Sequence, residues 1–291
     1  MIQWFEDLPA DAAAIAGGKG ASLSSTKGAG FPVPRGFVVC ADAFGAFLER
    51  CAGANFILNL TSSLEVDNEA ALDDASQKLC SFILSNPLPE DLEEAIRGAY
   101  RKFGDDIPVA VRSSAVSEDG AGASFAGQQE TFVNVRGDAA VTSRVRECWA
   151  SFFTPRAMFY RAHKGDLADT RMAVVVQEMI LADKSGVMFT MDPVQKRRDH
   201  VVIEAVFGLG EGVVSGLITP NHYVIDRNSG SLVREFIPEQ SAARVLSHAQ
   251  LNRLRDLGLR LEEFFGAPQD VEWCIRGNEL LLLQSRPITT L

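Results

Sequence analysis

The sequence has no apolar run approaching the roughly 20 residues needed to cross a bilayer. Its longest candidate, Met172 to Leu181, is broken by Gln177 and Glu178. The start, MIQWFEDLP, is acidic and lacks the basic-then-apolar order of a signal peptide. Paired cysteine motifs are missing too. Cys40, Cys51, Cys80, Cys148 and Cys274 stand singly, with no CxxC, so neither a zinc knuckle nor a disulfide framework is indicated. Reduced thiols in a cytoplasmic setting fit best. Positive charge is in deficit, with 28 Lys and Arg against 38 Asp and Glu. That argues against a protein built mainly to grip nucleic acid by its phosphates, though not against a small basic pocket for a nucleotide. Neither a membrane nor a nucleic acid is an expected partner.

What is present is an ordinary globular composition, 46% hydrophobic and 23% charged over 291 residues. Helical and strand patterns alternate, which points to a mixed α/β or α+β fold. Helical spacing predicts helices over Asp67 to Leu84, Pro89 to Phe103 and Val141 to Phe152. Thr154-Pro155 opens another as N-cap and first-turn residue. Ser247 and Gln250 form a capping-box pattern ahead of a helix reaching Phe265. Strands are expected at Gly36 to Cys40, Val109 to Arg112, Thr131 to Val135 and Met172 to Val176. Further strands are expected at Val187 to Met191, His200 to Ala205 and His222 to Asp226. The Met172 stretch is continuously apolar, as in a strand buried on both faces. KGDLADTR marks the best composition shift, dividing the chain into subdomains of roughly 1–168 and 169–291.

Familiar nucleotide motifs fail. GLGEGVVSG (208 to 216) lacks the third glycine of GxGxxG, because Val213 sits there. Gly18-Lys19 is not a P-loop, since Ala13 and Gly20 stand where Gly and Ser/Thr belong. A different constellation survives. VRSSAVSEDGAGASFAGQQETF (111 to 132) places Arg112 on a strand before a glycine-rich stretch, then Thr131. Backbone N–H groups of such a loop can cover a polyphosphate, and Arg112 can hold it by charge-assisted bonds. The same pattern also describes a surface hairpin. VVVQEMI (174 to 180) runs from a buried strand into Gln177-Glu178, a place where a hinge backbone can read an adenine edge.

The terminal QDVEWCIRGNELLLLQSRPITTL (269 to 291) reads as two strands around Gly277-Asn278. A two-residue loop sets Val271 opposite Gln284. A three-residue loop or a bulge sets Glu272 there instead, on one side with Arg286. A carboxylate, an amide oxygen and a guanidinium at one spot suit a hard cation and a phosphate chain. A solvated hairpin face is the plainer alternative.

GGKGASLSSTKGAGFPVPRGFVV, VRSSAVSEDGAGASFAGQQETF, CWASFFTPRAMFYR, GLGEGVVSGLITPNHY and the terminal hairpin occur in this order. Together they resemble the N-terminal ATP-binding domain shared by phosphoenolpyruvate synthase, pyruvate phosphate dikinase and rifampin phosphotransferase. The FAGQQ, CWASFFT and PQD stretches make the last of these look nearest. The resemblance implies an ATP-grasp-like α+β fold, two subdomains clasping ATP, and Mg²⁺ as the metal. By position, Lys19 and Arg112 would hold phosphates, and Gly127 and Thr131 would belong to the covering loop. Gln177, Glu178, Met179 and Ile180 would border the adenine. Glu272 and Gln284 would hold Mg²⁺, and Arg286 would stabilise the transferring group.

The implied activity is an ATP-dependent, dikinase-type phosphotransferase. ATP would phosphorylate a histidine on a carrier domain or subunit, for onward transfer to pyruvate, rifampin or a similar acceptor held by a further domain. None of His163, His200, His222 and His248 lies in a Thr-Ser-His carrier context, so the chain is expected to be incomplete alone. A short Gly230 to Ser247 connection, and Asn221 where an acid is common, also depart from the pattern. The alternative is an ATP-sensing or assembly module without turnover.

Overall fold

The computed structural model describes residues 1–116, 130–164, 167, 169–210, 216, 218–239 and 243–288. Two compact units emerge, Met1–Ser24 with Arg35–Met179, and Ser25–Pro34 with Ile180–Leu291. The fold is mixed α+β with two antiparallel sheets, as the alternating patterns imply.

The first unit holds a five-stranded sheet in the order β1-β2-β5-β3-β4. Its strands are β1 (Ile2–Trp4), β2 (Gly36–Val39), β3 (Val109–Ala115), β4 (Thr131–Val135) and β5 (Met172–Glu178). β5 is central, pairing with β2 on one side and β3 on the other, which explains its unbroken apolar run. Strand alternation gives this sheet two different faces. Phe37, Val39, Val109, Val111, Val174 and Val176 enter the main core. That core is completed by α2 (Ala41–Arg50), α3 (Gly53–Thr61), α4 (Glu69–Ser85), α5 (Glu90–Arg101), α6 (Asp138–Ser151) and α7 (Pro155–His163). At its centre Trp149 stacks on Phe44, with ring centroids 4.9 Å apart, and leans on Phe47 at 5.4 Å. The opposite face carries Val38 and Val175, against which α1 (Ala13–Gly28) packs at Gly20.

The second unit holds a six-stranded sheet in the order β11-β10-β6-β7-β8-β9. Its strands are β6 (Lys184–Phe189), β7 (His200–Phe207), β8 (Asn221–Asp226), β9 (Leu232–Phe236), β10 (Gln269–Arg276) and β11 (Glu279–Pro287). One face is covered by α8 (His248–Phe265), whose Leu251, Leu254, Leu257 and Leu261 are buried. Gly258 brings α8 close to the sheet, since a Cβ there would lie 2.8 Å from the end of Met188. The capping box forms as expected, with Gln250 N–H donating to Ser247 Oγ and Ser247 N–H to Gln250 Oε1. No helix among the described residues is long and apolar enough to cross a membrane.

Several expectations need adjusting. The sixth strand starts at Lys184 rather than Val187. Thr154 occupies the N-cap of α7, but its hydroxyl donates to the Ser151 carbonyl instead of capping the helix. The boundary expected near KGDLADTR precedes β5, whereas the packed units part after Met179, because β5 belongs to the first sheet. β1, β9, α2 and α3 have no counterpart among the elements expected from sequence. β9 in particular is exposed along most of its length and lacks alternation.

Trp149 is fully buried, and its indole N–H has no hydrogen-bond partner among the described residues. Trp149→Ala should therefore cost roughly 3–5 kcal/mol from lost burial and a residual cavity. Trp149→Phe should cost clearly less, since no hydrogen bond is lost. Denaturant unfolding of both variants checks this; equal losses would contradict it.

Candidate functional site

The glycine loop of the first unit is a break within α1. Gly17 has φ 66° and ψ 175°, outside the helical region, a conformation natural to glycine. A Cβ at Gly17 would stand 2.2 Å from the Ser114 carbonyl oxygen and 2.4 Å from its hydroxyl. The chain can therefore approach β3 only with glycine here. Two residues on, Lys19 Nζ donates to the Ser113 carbonyl at 3.2 Å. Arg112 lies two residues before Ser114 on the same strand, and so on the same face. Its cross-strand partners are Thr131 in β4 and Val175 in β5.

Gln177 shares this face, because it pairs with Ala110 as Val175 pairs with Arg112. It is 3% exposed, and its side-chain amide nitrogen has no partner among the described residues. The backbone beyond it is already committed. Glu178 N–H donates to the Arg35 carbonyl and Met179 N–H to that of Pro108, both at 2.8 Å. The Glu178 carboxylate accepts from Arg35 Nε at 2.8 Å, and Met179 Sδ accepts from Asn134 N–H. The first unit thus brings together Lys19, Arg112, Thr131 and Gln177 on one side of its sheet. Ile180 is buried and belongs to the second unit. Gly127 lies outside the described residues.

In the second unit the hairpin loop has two residues, with Arg276 opposite Glu279, yet Glu272 stands opposite Gln284. A bulge reconciles the two. The register shifts between Glu272 and Trp273, which pairs with Leu282, so Leu283 is the extra residue. Asp270 is opposite Arg286. Asp270, Glu272, Gln284 and Arg286 consequently share the face turned away from α8. Arg286 holds the Asp270 carboxylate through Nε at 2.9 Å and Nη2 at 2.8 Å. Burial pushes the Asp270 carboxyl up, the Arg286 guanidinium pulls it back, and the neighbouring Glu272 charge adds to the rise.

The same row continues across the sheet, from Glu272 to Val187, Glu204 and His222. Glu204 and His222 sit side by side, Nδ1 to Oε1 at 3.4 Å. The motif reading missed Glu204 and Asp270. The available signal was one acid within an otherwise buried strand, HVVIEAVF, and an acid two positions before Glu272. Asn221, noted as a departure, is fully buried and structural. Its Oδ1 accepts from Tyr223 and from Val245 N–H. No group of three His, Cys, Asp or Glu among the described residues could hold a metal by itself.

The chain is thus of the mixed α+β class with two antiparallel sheets, each carrying charged or amide side chains on the face away from its main buried core. The comparisons sharpen it. The family described as pyruvate phosphate dikinase, AMP/ATP-binding domain, matches residues 13–291, and the chain belongs to that family. A probable phosphoenolpyruvate synthase of Archaeoglobus fulgidus is 44% identical over all of this chain and 42% of its own length. Its counterpart in Methanocaldococcus jannaschii is 40% identical over all of this chain and 27% of its own. A rifampicin phosphotransferase of Streptomyces sviceus is 38% identical over 98% of this chain and 35% of its own. The chain thus spans less than half the length of these relatives. Overall identity is higher with the two synthases than with the phosphotransferase, so it does not single out the branch that FAGQQ, CWASFFT and PQD suggested. Among solved structures, D-alanine-D-alanine ligase from Helicobacter pylori aligns over 74% of this chain at 12% identity and TM-score 0.32, a likeness too weak to bear on function.

The Asp270 carboxyl should titrate above an ordinary aspartate in the metal-free chain, and Arg286→Ala should raise it further. A carboxyl raised in the folded state favours folding fully only below its unfolded pKa, and that contribution fades as pH rises through the folded value. Carboxyl-carbon NMR titration of both forms reads this directly. A downward move on removing Arg286 would contradict it.

Proposed function

We propose that the chain binds Mg-ATP and phosphorylates a histidine on a separate carrier domain or subunit, which passes the phosphoryl group to pyruvate, rifampin or a similar acceptor. Family membership over residues 13–291 supports the nucleotide. The observation that carries the rest is the direct pairing of Glu272 with Gln284, beside Arg286 held by Asp270. A carboxylate and an amide oxygen fit Mg²⁺, which is bound through hard oxygens and commonly by only one or two protein carboxylates. Bound there, the ion would neutralise phosphate charge.

The protein groups do the remainder. Lys19 and Arg112 orient the phosphates, with Thr131 and Gly127 in the covering stretch. Gln177, Glu178, Met179 and Ile180 border the adenine. The buried Gln177 amide would gain an acceptor there, relieving the roughly 1–3 kcal/mol that a buried unsatisfied donor costs. Arg286 supplies preorganised positive charge where it develops on the moving phosphoryl group. The relatives are phosphotransferases and synthases longer than this chain, which leaves room for carrier and acceptor domains elsewhere. The single cysteines and acidic composition suit a cytoplasmic enzyme.

Titration calorimetry should show Mg-ATP binding, and NAD binding more weakly or not at all. Tighter NAD binding would overturn the nucleotide assignment. Arg286→Ala should slow single-turnover phosphorylation of an added histidine domain by about 10²-fold or more, as for loss of one preorganised donor. Its ATP affinity should change much less. Equal losses would make Arg286 a binder only, and no phosphorylation of any carrier by the unmodified chain would favour a sensing module.

A further inference from the structure

In an unbroken α-helix the N–H of residue 20 bonds the carbonyl of residue 16. In α1 the Ser114 hydroxyl is inserted between them. It accepts from Gly20 N–H at 3.2 Å and donates to the Ala16 carbonyl at 2.8 Å. A hydroxyl has one proton and two lone pairs, so this bridge uses the proton and one pair. A side chain entering the helical ladder is a recognised cause of a sharp kink. The kink falls at Gly17, whose missing Cβ gives Ser114 its place. Ser114 is fully buried and not in direct contact with solvent. Its neighbours on β3 are Ser113, whose carbonyl receives Lys19, and Arg112. One short strand segment therefore fixes both cations of the first unit.

We propose that Ser114 is a positioning residue, whose hydroxyl holds α1 open at Gly17 so that Lys19 meets the phosphate chain in register with Arg112. This rests on the reading of Lys19 as a phosphate-binding residue. Ser114 itself touches no nucleotide. Without its hydroxyl, Gly20 N–H and the Ala16 carbonyl can bond each other directly. The break in α1 then closes, and Lys19 is drawn away from the Ser113 carbonyl.

The test is a double-mutant cycle in this chain, reading Mg-ATP and adenosine affinity by calorimetry. Ser114→Ala should weaken Mg-ATP about tenfold, within the coupling range of residues in one hydrogen-bonded network. Adenosine, which lacks the phosphates, should bind within about twofold of the unmodified chain by the same reasoning. In a Lys19→Ala background, Ser114→Ala should have no further effect. Ser114→Cys keeps nearly the same shape with a much weaker donor and acceptor. It runs the same cycle should the alanine form fail to fold. Equal Mg-ATP losses in both backgrounds, or an equal loss for adenosine, would overturn the proposal and leave Ser114 a general support of the fold. Failure of the unmodified chain to bind Mg-ATP would instead remove the reading of Lys19, and the proposal with it.

Discussion

One extra residue, Leu283, decides which way the terminal hairpin points its polar groups. The Gly277-Asn278 turn alone would put Gln284 opposite Val271, on the side packed against α8. The bulge moves the pairing by one residue and puts Gln284 opposite Glu272. Because side chains alternate strictly, such a step transfers every later side chain to the other face. Arg286 and Gln284 thereby join Asp270 and Glu272 away from the core, while Val271 and Trp273 remain buried. The bulge costs the ladder some regularity, and in return a carboxylate, an amide and an acid-guanidinium pair stand together.

The first unit reaches a comparable result by another route. Its sheet gives one face mostly to the core, while Arg112, Ser114 and Gln177 lie on the face under α1. There the backbone is brought unusually near at Gly17, and Ser113 and Ser114 tie the helix to the strand through three hydrogen bonds from or to their carbonyl and hydroxyl. Lys19 is consequently held by main-chain geometry, where a surface lysine would wander. Its rigidity comes from the same contacts that forbid a side chain at Gly17.

Much of this was legible in the sequence. Long amphipathic helices such as α4, α5, α6 and α8 follow from spacing, and the capping box at Ser247 from two residues. The continuous apolar run of β5 announced its central place. The hairpin pattern narrowed the register to two alternatives but could not choose between them, because a bulge leaves no local composition mark among four consecutive leucines. Long-range pairing hid other features. Nothing near Ser114 signals that its partners lie at Ala16 and Gly20. Likewise Glu204 reads as an isolated acid until β7 is placed in one row with Glu272.

The central claim is that Glu272 and Gln284 form the metal face of a nucleotide site. A crystal structure of this chain with Mn²⁺ in place of Mg²⁺ and a non-hydrolysable ATP analogue tests it most directly, since anomalous scattering locates the ion. The account predicts a metal about 2.0–2.2 Å from an oxygen of Glu272 or Gln284, allowing for the slightly larger ion, with the phosphates contacting Lys19 and Arg112. Nucleotide bound with its metal away from both Glu272 and Gln284 would contradict it.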